Sequence, residues 1–145
     1  MNIKQALKQK NVIIREIEEL SDLIRENNST IQGNQREFDT KDLIGELCDK
    51  SESLVSLKSA IQRANVAVFD KIFRLSELKN LVKVYNSIPT NEGKQKSSYG
   101  RVESEIFDVQ IGRKEMRDMI NKVKQDIYII QEELDVHNAI TEIFF

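Results

Sequence analysis

Between residues 43 and 64, Leu43, Leu47, Lys50, Leu54, Leu57, Ile61 and Ala64 step alternately by four and by three. That rhythm returns to one side of an α-helix every two turns, and it has none of the alternation by two that a half-buried strand requires. A stripe this narrow is covered by another helix, so the feature fixes both the element and the kind of neighbour it needs. Lys50 is the one polar member of the series. A polar residue in such a seam costs some stability and can fix register, and its long stem can also carry the charge out of a shallow groove.

Three further stretches carry helical spacing, and helices are expected over about 2–28, 40–65, 69–87 and 109–137. In the first, Ile3, Leu7, Ile13, Ile14, Ile17, Leu20, Leu23 and Ile24 share a face, with acidic and basic residues opposite. Asn27-Asn28-Ser29 then competes for backbone hydrogen bonds and ends it. Asp39 or Thr40 is placed to cap the second helix. The third carries Phe69, Ile72, Phe73, Leu75, Leu78, Leu81, Val82, Val84 and Tyr85, an apolar surface wide enough to bury more than one face. Ile88-Pro89 stops it, because a residue before proline disfavours helical geometry. The fourth repeats the four-and-three rhythm at Met116, Ile120, Val123, Ile127, Ile130, Leu134 and His137. One proline and five glycines in 145 residues leave such helices uninterrupted.

The loops fall at 29–39 and 88–108. The first holds a Gly33-Asn34 turn signal, and the second holds Pro89 and the polar stretch to Arg101, which is expected to be the chain's protease-sensitive part. Val102–Phe107 reads as a short extended stretch whose expected partner is 31–38. The fold class is therefore predominantly all-α: antiparallel helical hairpins or a four-helix bundle with coiled-coil seams, with room for a short two-stranded β element, in a single helical domain over 1–145. Asn65 and Asn138 each follow a seam, roughly half a chain apart, which suggests two helix–loop–helix halves. The apolar end of the chain, Ile140 to Phe145, is expected to dock on the bundle or on a neighbour.

The formal charge is −2, without the positive footprint of a dedicated nucleic-acid binder. Its distribution is uneven: −2 over residues 1–70, +5 over 71–124 and −5 over 125–145. Such asymmetry can steer a partner or complement a neighbouring subunit. A lone cysteine, Cys48, forms no internal disulfide, and no apolar run approaches the ~20 residues that span a bilayer. A cytoplasmic location without secretory export is expected.

Residues able to carry chemistry are few. His137 is the only histidine, so a triad or a zinc site would need it to meet Cys48 across helices. A seam-closing residue near a helix C-terminus is the simpler role. Cys48, beside Leu47, reads as a small buried thiol. The acidic pairs Glu18-Glu19, Glu103/Glu105 and Glu132-Glu133 lack the Glu-x-x-His partner of carboxylate-bridged metal bundles. Lys94, Lys96, Tyr99 and Arg101 fall in a polar loop and read as solvated. Asn65 and Asn138, which with His137 are the polar helix-end positions, are expected to cap their helices in left-handed geometry, or to line a polar pocket if those ends converge. No cofactor and no metal is expected.

The order of features resembles the small bacterial helical proteins of the septicolysin family. The resemblance rests on Met1 followed by Ala6-Leu7, on Ile61-Gln62-Arg63-Ala64-Asn65, on Asp108-Val109, and on Ile130-Gln131 running to Asn138. Ala139 stands where the family commonly has an aromatic residue, and 66–70 runs through without the family's glycine turn. The name implies a lytic protein. The residues themselves point to a self-associating structural or interaction module, a homo-oligomer and not an enzyme, with a membrane-active cytolysin and a small-ligand binder as the alternatives. The seams Leu43, Leu47, Leu54, Leu57 and Ile61, and Ile120, Val123, Ile127, Ile130 and Leu134, are the expected core or oligomer contacts.

Overall fold

The computed structural model describes residues 1–95 and 105–145. It is predominantly all-α: α1 (Ile3–Asn27), α2 (Thr40–Ala64), α3 (Phe69–Ser87) and α4 (Arg113–Ile140), with a two-stranded antiparallel ribbon of β1 (Gly93–Gln95) and β2 (Glu105–Phe107). The fourth helix begins later than Val109 and runs beyond His137, so Asn138 lies inside its last turn. The backbone contacts divide the chain into two compact units, Met1–Ala67 with Asp135–Phe145, and Val68–Leu134.

The first unit is built on the α1–α2 hairpin. Ile3, Ala6 and Ile13 of α1 meet Leu57, Ala60 and Ile61 of α2 in one buried cluster, so the start of one helix lies against the end of the other. Halfway along, Lys50 of α2 reaches Glu16 of α1. The irregular turn between the helices has its own logic. Asn34 N–H bonds to Ile31 C=O, and Gly33 sits between them at φ +90°, a conformation that side chains disfavour. Arg36 then donates to the carbonyls of Asn27 and Asn28, which α1 leaves unpaired at its end. Asp39 opens α2 by accepting from Lys41 N–H at 2.8 Å.

The second unit is the α3–α4 hairpin and its ribbon. Val68 and Leu75 pack with Leu134, flanked by Ile72, Ile127 and Ile130. Near the other end, Tyr85 and Ile88 share a cleft with Met116 and Ile120, so these helices are also antiparallel. The expected pairing of 31–38 with the stretch before Asp108 is overturned. Gly93, Lys94 and Gln95 pair with Phe107, Ile106 and Glu105 inside the same loop. A local hairpin closes a short loop and so costs less chain entropy than a distant partner. Gly93, at φ +79°, supplies a backbone conformation disfavoured for other residues. Residues 96–104 lie outside the described residues, and with them Lys96, Tyr99, Arg101 and the start of the expected extended stretch.

Two expectations about α2 and α3 change. Asn65 is not left-handed: it ends α2 at φ −85°, ψ −3°, and a single 3₁₀ turn, Val66–Val68, follows it in the chain. The Asn65 N–H bonds back to the carbonyls of Ile61 and Gln62, which closes the helix without a left-handed residue. Nor does α3 bury more than one face. Only its Leu75 is buried, while Phe73 is 65% and Val84 54% exposed.

Candidate functional site

Both chain ends meet in the first unit. Asn2 is the N-cap of α1, and it forms a reciprocal box with Gln5. Its Oδ1 accepts from Gln5 N–H at 2.9 Å, and Gln5 Oε1 accepts from Asn2 N–H at 3.0 Å. The same Asn2 side chain donates from Nδ2 to the Ala139 carbonyl at 3.0 Å. Beside it the backbone forms a two-way bridge: Ile3 N–H bonds to Thr141 C=O at 3.1 Å, and Ile143 N–H bonds to Met1 C=O at 2.8 Å. The Met1 ammonium lies 2.9 Å from Glu142. Ile143 thereby enters the cluster of Ile3, Leu57 and Ile61, with only 4% of it exposed. The expected docking of the apolar end is made by Ile143, whereas Phe144 and Phe145 remain open.

The predicted polar positions sit in this unit. His137 Nδ1 lies 3.2 Å from Thr141 Oγ1, one helical turn on. His137 Nε2 and Asn65 Oδ1 are both enclosed without a hydrogen-bond partner among the described residues. No hydrogen bond among the described residues joins Asn65 to His137 or Asn138. Cys48 is exposed, contrary to the buried reading, because it falls one residue off the Leu47 position of the seam. Among the described residues, no group of three or more His, Cys, Asp and Glu side chains is placed to hold a metal, and no helix is long and apolar enough to cross a membrane.

Of the seam positions, Leu43, Leu57, Ile61, Val123 and Leu134 are buried within the chain, and Leu47, Leu54, Ile120, Ile127 and Ile130 are half-buried. Two ion pairs tie the hairpins across their seams. Lys50 Nζ lies 2.7 Å from Glu16, and Lys71 Nζ lies 2.8 Å from Glu133. In each case the hydrogen bond to the carboxylate, first of all, holds the ammonium above its ordinary pKa.

The second unit carries a cleft of about 300 Å³ between the end of α3 and the first turns of α4. Arg113, Arg117 and Lys124 line it together with Tyr85, Asn86 and Thr90, and no carboxylate among the described residues does. Spacings of four and seven bring the three cations to one face of α4, where they present an acid-seeking rim. The charge count of 71–124 signalled this basic surface, but not that it would gather at one cleft.

The α3 helix also carries exposed apolar side chains. On α3, Phe69 and Phe73 stand with ring centroids 6.0 Å apart, and Phe73, Val84 and Ile88 are all exposed. Phe73 lies about 160° around the helix from Leu75, the residue that faces α4. Hydrophobic residues therefore occupy both sides of α3, and α4 covers the side that carries Leu75. No family model, no curated protein and no solved structure matches this chain.

Proposed function

We propose that the chain is a self-associating helical module, a structural or interaction protein of the septicolysin-like kind that works in the cytoplasm without catalysing a reaction. The observation that carries this reading is the apolar surface left open on a thin core. Val55 on α2, Phe73 and Val84 on α3, and Tyr128 and Ile129 on α4 are all more than half exposed. A helical hairpin buries one seam, and a monomer seldom leaves this much aromatic and aliphatic surface in water without a use for it. The opposite charges of 71–124 and 125–145 add a second attraction between copies.

Light scattering over a wide dilution series tests the reading. A molar mass that is a fixed multiple of 16.8 kDa at every concentration is expected. A monomer throughout would overturn it, and the exposed surface would then have to be explained by a different partner.

A further inference from the structure

We infer that the cleft between the end of α3 and the first turns of α4 binds a small organic molecule carrying a multiply charged phosphate group, as a nucleotide does. The cleft lies wholly within the second unit, so the inference is independent of how copies of the chain associate.

Three cations give the cleft its charge. At 100° per residue, Arg113, Arg117 and Lys124 fall within about 40° of one another around α4. The acidic residues of the same turns are elsewhere: Asp118 and Glu115 lie about 120° and 180° round the helix from that line. Among the described residues no carboxylate pairs with any of the three, whereas Arg25, Lys50 and Lys71 each hold one. A cleft walled by one sign of charge focuses its field and concentrates the opposite ion. The two arginines sit one helical turn apart, and their planar forks match phosphate oxygens in pairs.

The rest of the lining suits a body attached to the phosphate. Tyr85 and Thr90, both half-buried, bring hydroxyls that can donate to further phosphate oxygens. Buried Met116 and half-buried Ile120 line the same cleft and offer apolar contact beside the charged groups. The exposed amides of Asn86 and Asn121 can both donate and accept, as the edge of a nucleobase requires. An inorganic anion would use the cations and leave the apolar and amide lining without a partner. The volume, about 300 Å³, is at the small end of ligand clefts, which suits one small molecule and not a nucleic-acid strand.

The test uses ATP as the probe, with equilibrium dialysis against the full chain in metal-free buffer at physiological salt. One site per chain is expected, with tripolyphosphate held more weakly and adenosine not retained. Arg113→Gln, Arg117→Gln and Lys124→Gln alter exposed positions, so circular dichroism should show unchanged helix. Each should weaken ATP by about tenfold, the equivalent of one charge-assisted hydrogen bond. Lys122→Gln removes the same charge from the other side of α4 and should leave binding as it was. ATP retained no better than adenosine overturns the inference. So does equal weakening by Lys122→Gln and the three cleft variants, which would make the attraction one of net charge alone. Tripolyphosphate held as tightly as ATP would strike out the organic body, and citrate held as tightly as ATP would strike out the phosphate.

Discussion

Lys50 of α2 places its ammonium 2.7 Å from the Glu16 carboxylate of α1, at the one polar step in an otherwise aliphatic seam. The pair is about a third exposed on each side, so its Coulomb energy is screened and its role is mainly to set the two helices in register. Its pH dependence has a definite sign. The Lys50 pKa is raised above 10.5 in the folded chain, chiefly by the hydrogen bond to Glu16. The stabilisation is therefore complete below 10.5 and is lost as pH rises through the folded value. The melting-temperature difference between the parent chain and Lys50→Met should stay constant across the neutral range and fall in alkali. A difference that grows in alkali would contradict the pairing. Lys71 with Glu133 should behave in the same way in the second unit.

Leu57 is fully buried among Ile3, Ala6, Ala60, Ile61 and Ile143. Leu57→Ala should lower unfolding stability by about 2–5 kcal/mol, because the cavity adds to the lost transfer energy. Leu54, three residues earlier and only half-buried, should cost clearly less on the same change. Chemical denaturation of both variants checks the order. Equal losses would mean that the seam is covered more evenly than the exposures indicate.

Cys48 is exposed on α2. It should react with an aromatic disulfide reagent within the native chain, one thiol per chain, at a rate that denaturant does not greatly increase. A thiol that reacts only on unfolding would show that another chain covers this side of α2.

Much of the architecture was legible because helical spacing is a local property. The four-and-three steps from Leu43 to Ala64 and from Met116 to Leu134 place their helices without reference to anything distant. The β ribbon was half legible: an extended stretch before Asp108 could be read from its residues, but its partner could not. Partner choice depends on loop closure, and the local Gly93–Gln95 prevailed over 31–38. Asn65 was misjudged because an Asn after a seam looks the same whether it turns left-handed or leads into a 3₁₀ turn. The excess apolar width of α3 was plain in the sequence. What the sequence lacked was which of its sides α4 would cover, since apolar residues lie on more than one side of the helix. The Asn2 contacts were missed for another reason: Asn2-x-x-Gln5 signals a capping box, but nothing near it announces Ala139.

Asn2 makes two separable contributions. Its Oδ1 caps α1 through Gln5 N–H, and its Nδ2 holds the Ala139 carbonyl at the end of α4. Asn2→Ala removes both and should cost about 1–2 kcal/mol, a lost cap plus a lost hydrogen bond. Asn2→Asp keeps the cap oxygen and adds a negative charge at the positive end of the α1 dipole, so helix initiation is preserved. It cannot donate to Ala139, however, and only the closure of the chain ends is weakened. Amide hydrogen exchange separates the two effects. In Asn2→Ala, protection should fall at Gln5 as well as at Ile3 and Ile143, the amides bonded across the terminal bridge. In Asn2→Asp it should fall at Ile3 and Ile143 while Gln5 stays protected. Unchanged protection of Ile143 in both variants would mean that its burial against Ile3 and Leu57, and not the Asn2 side chain, holds the ends together.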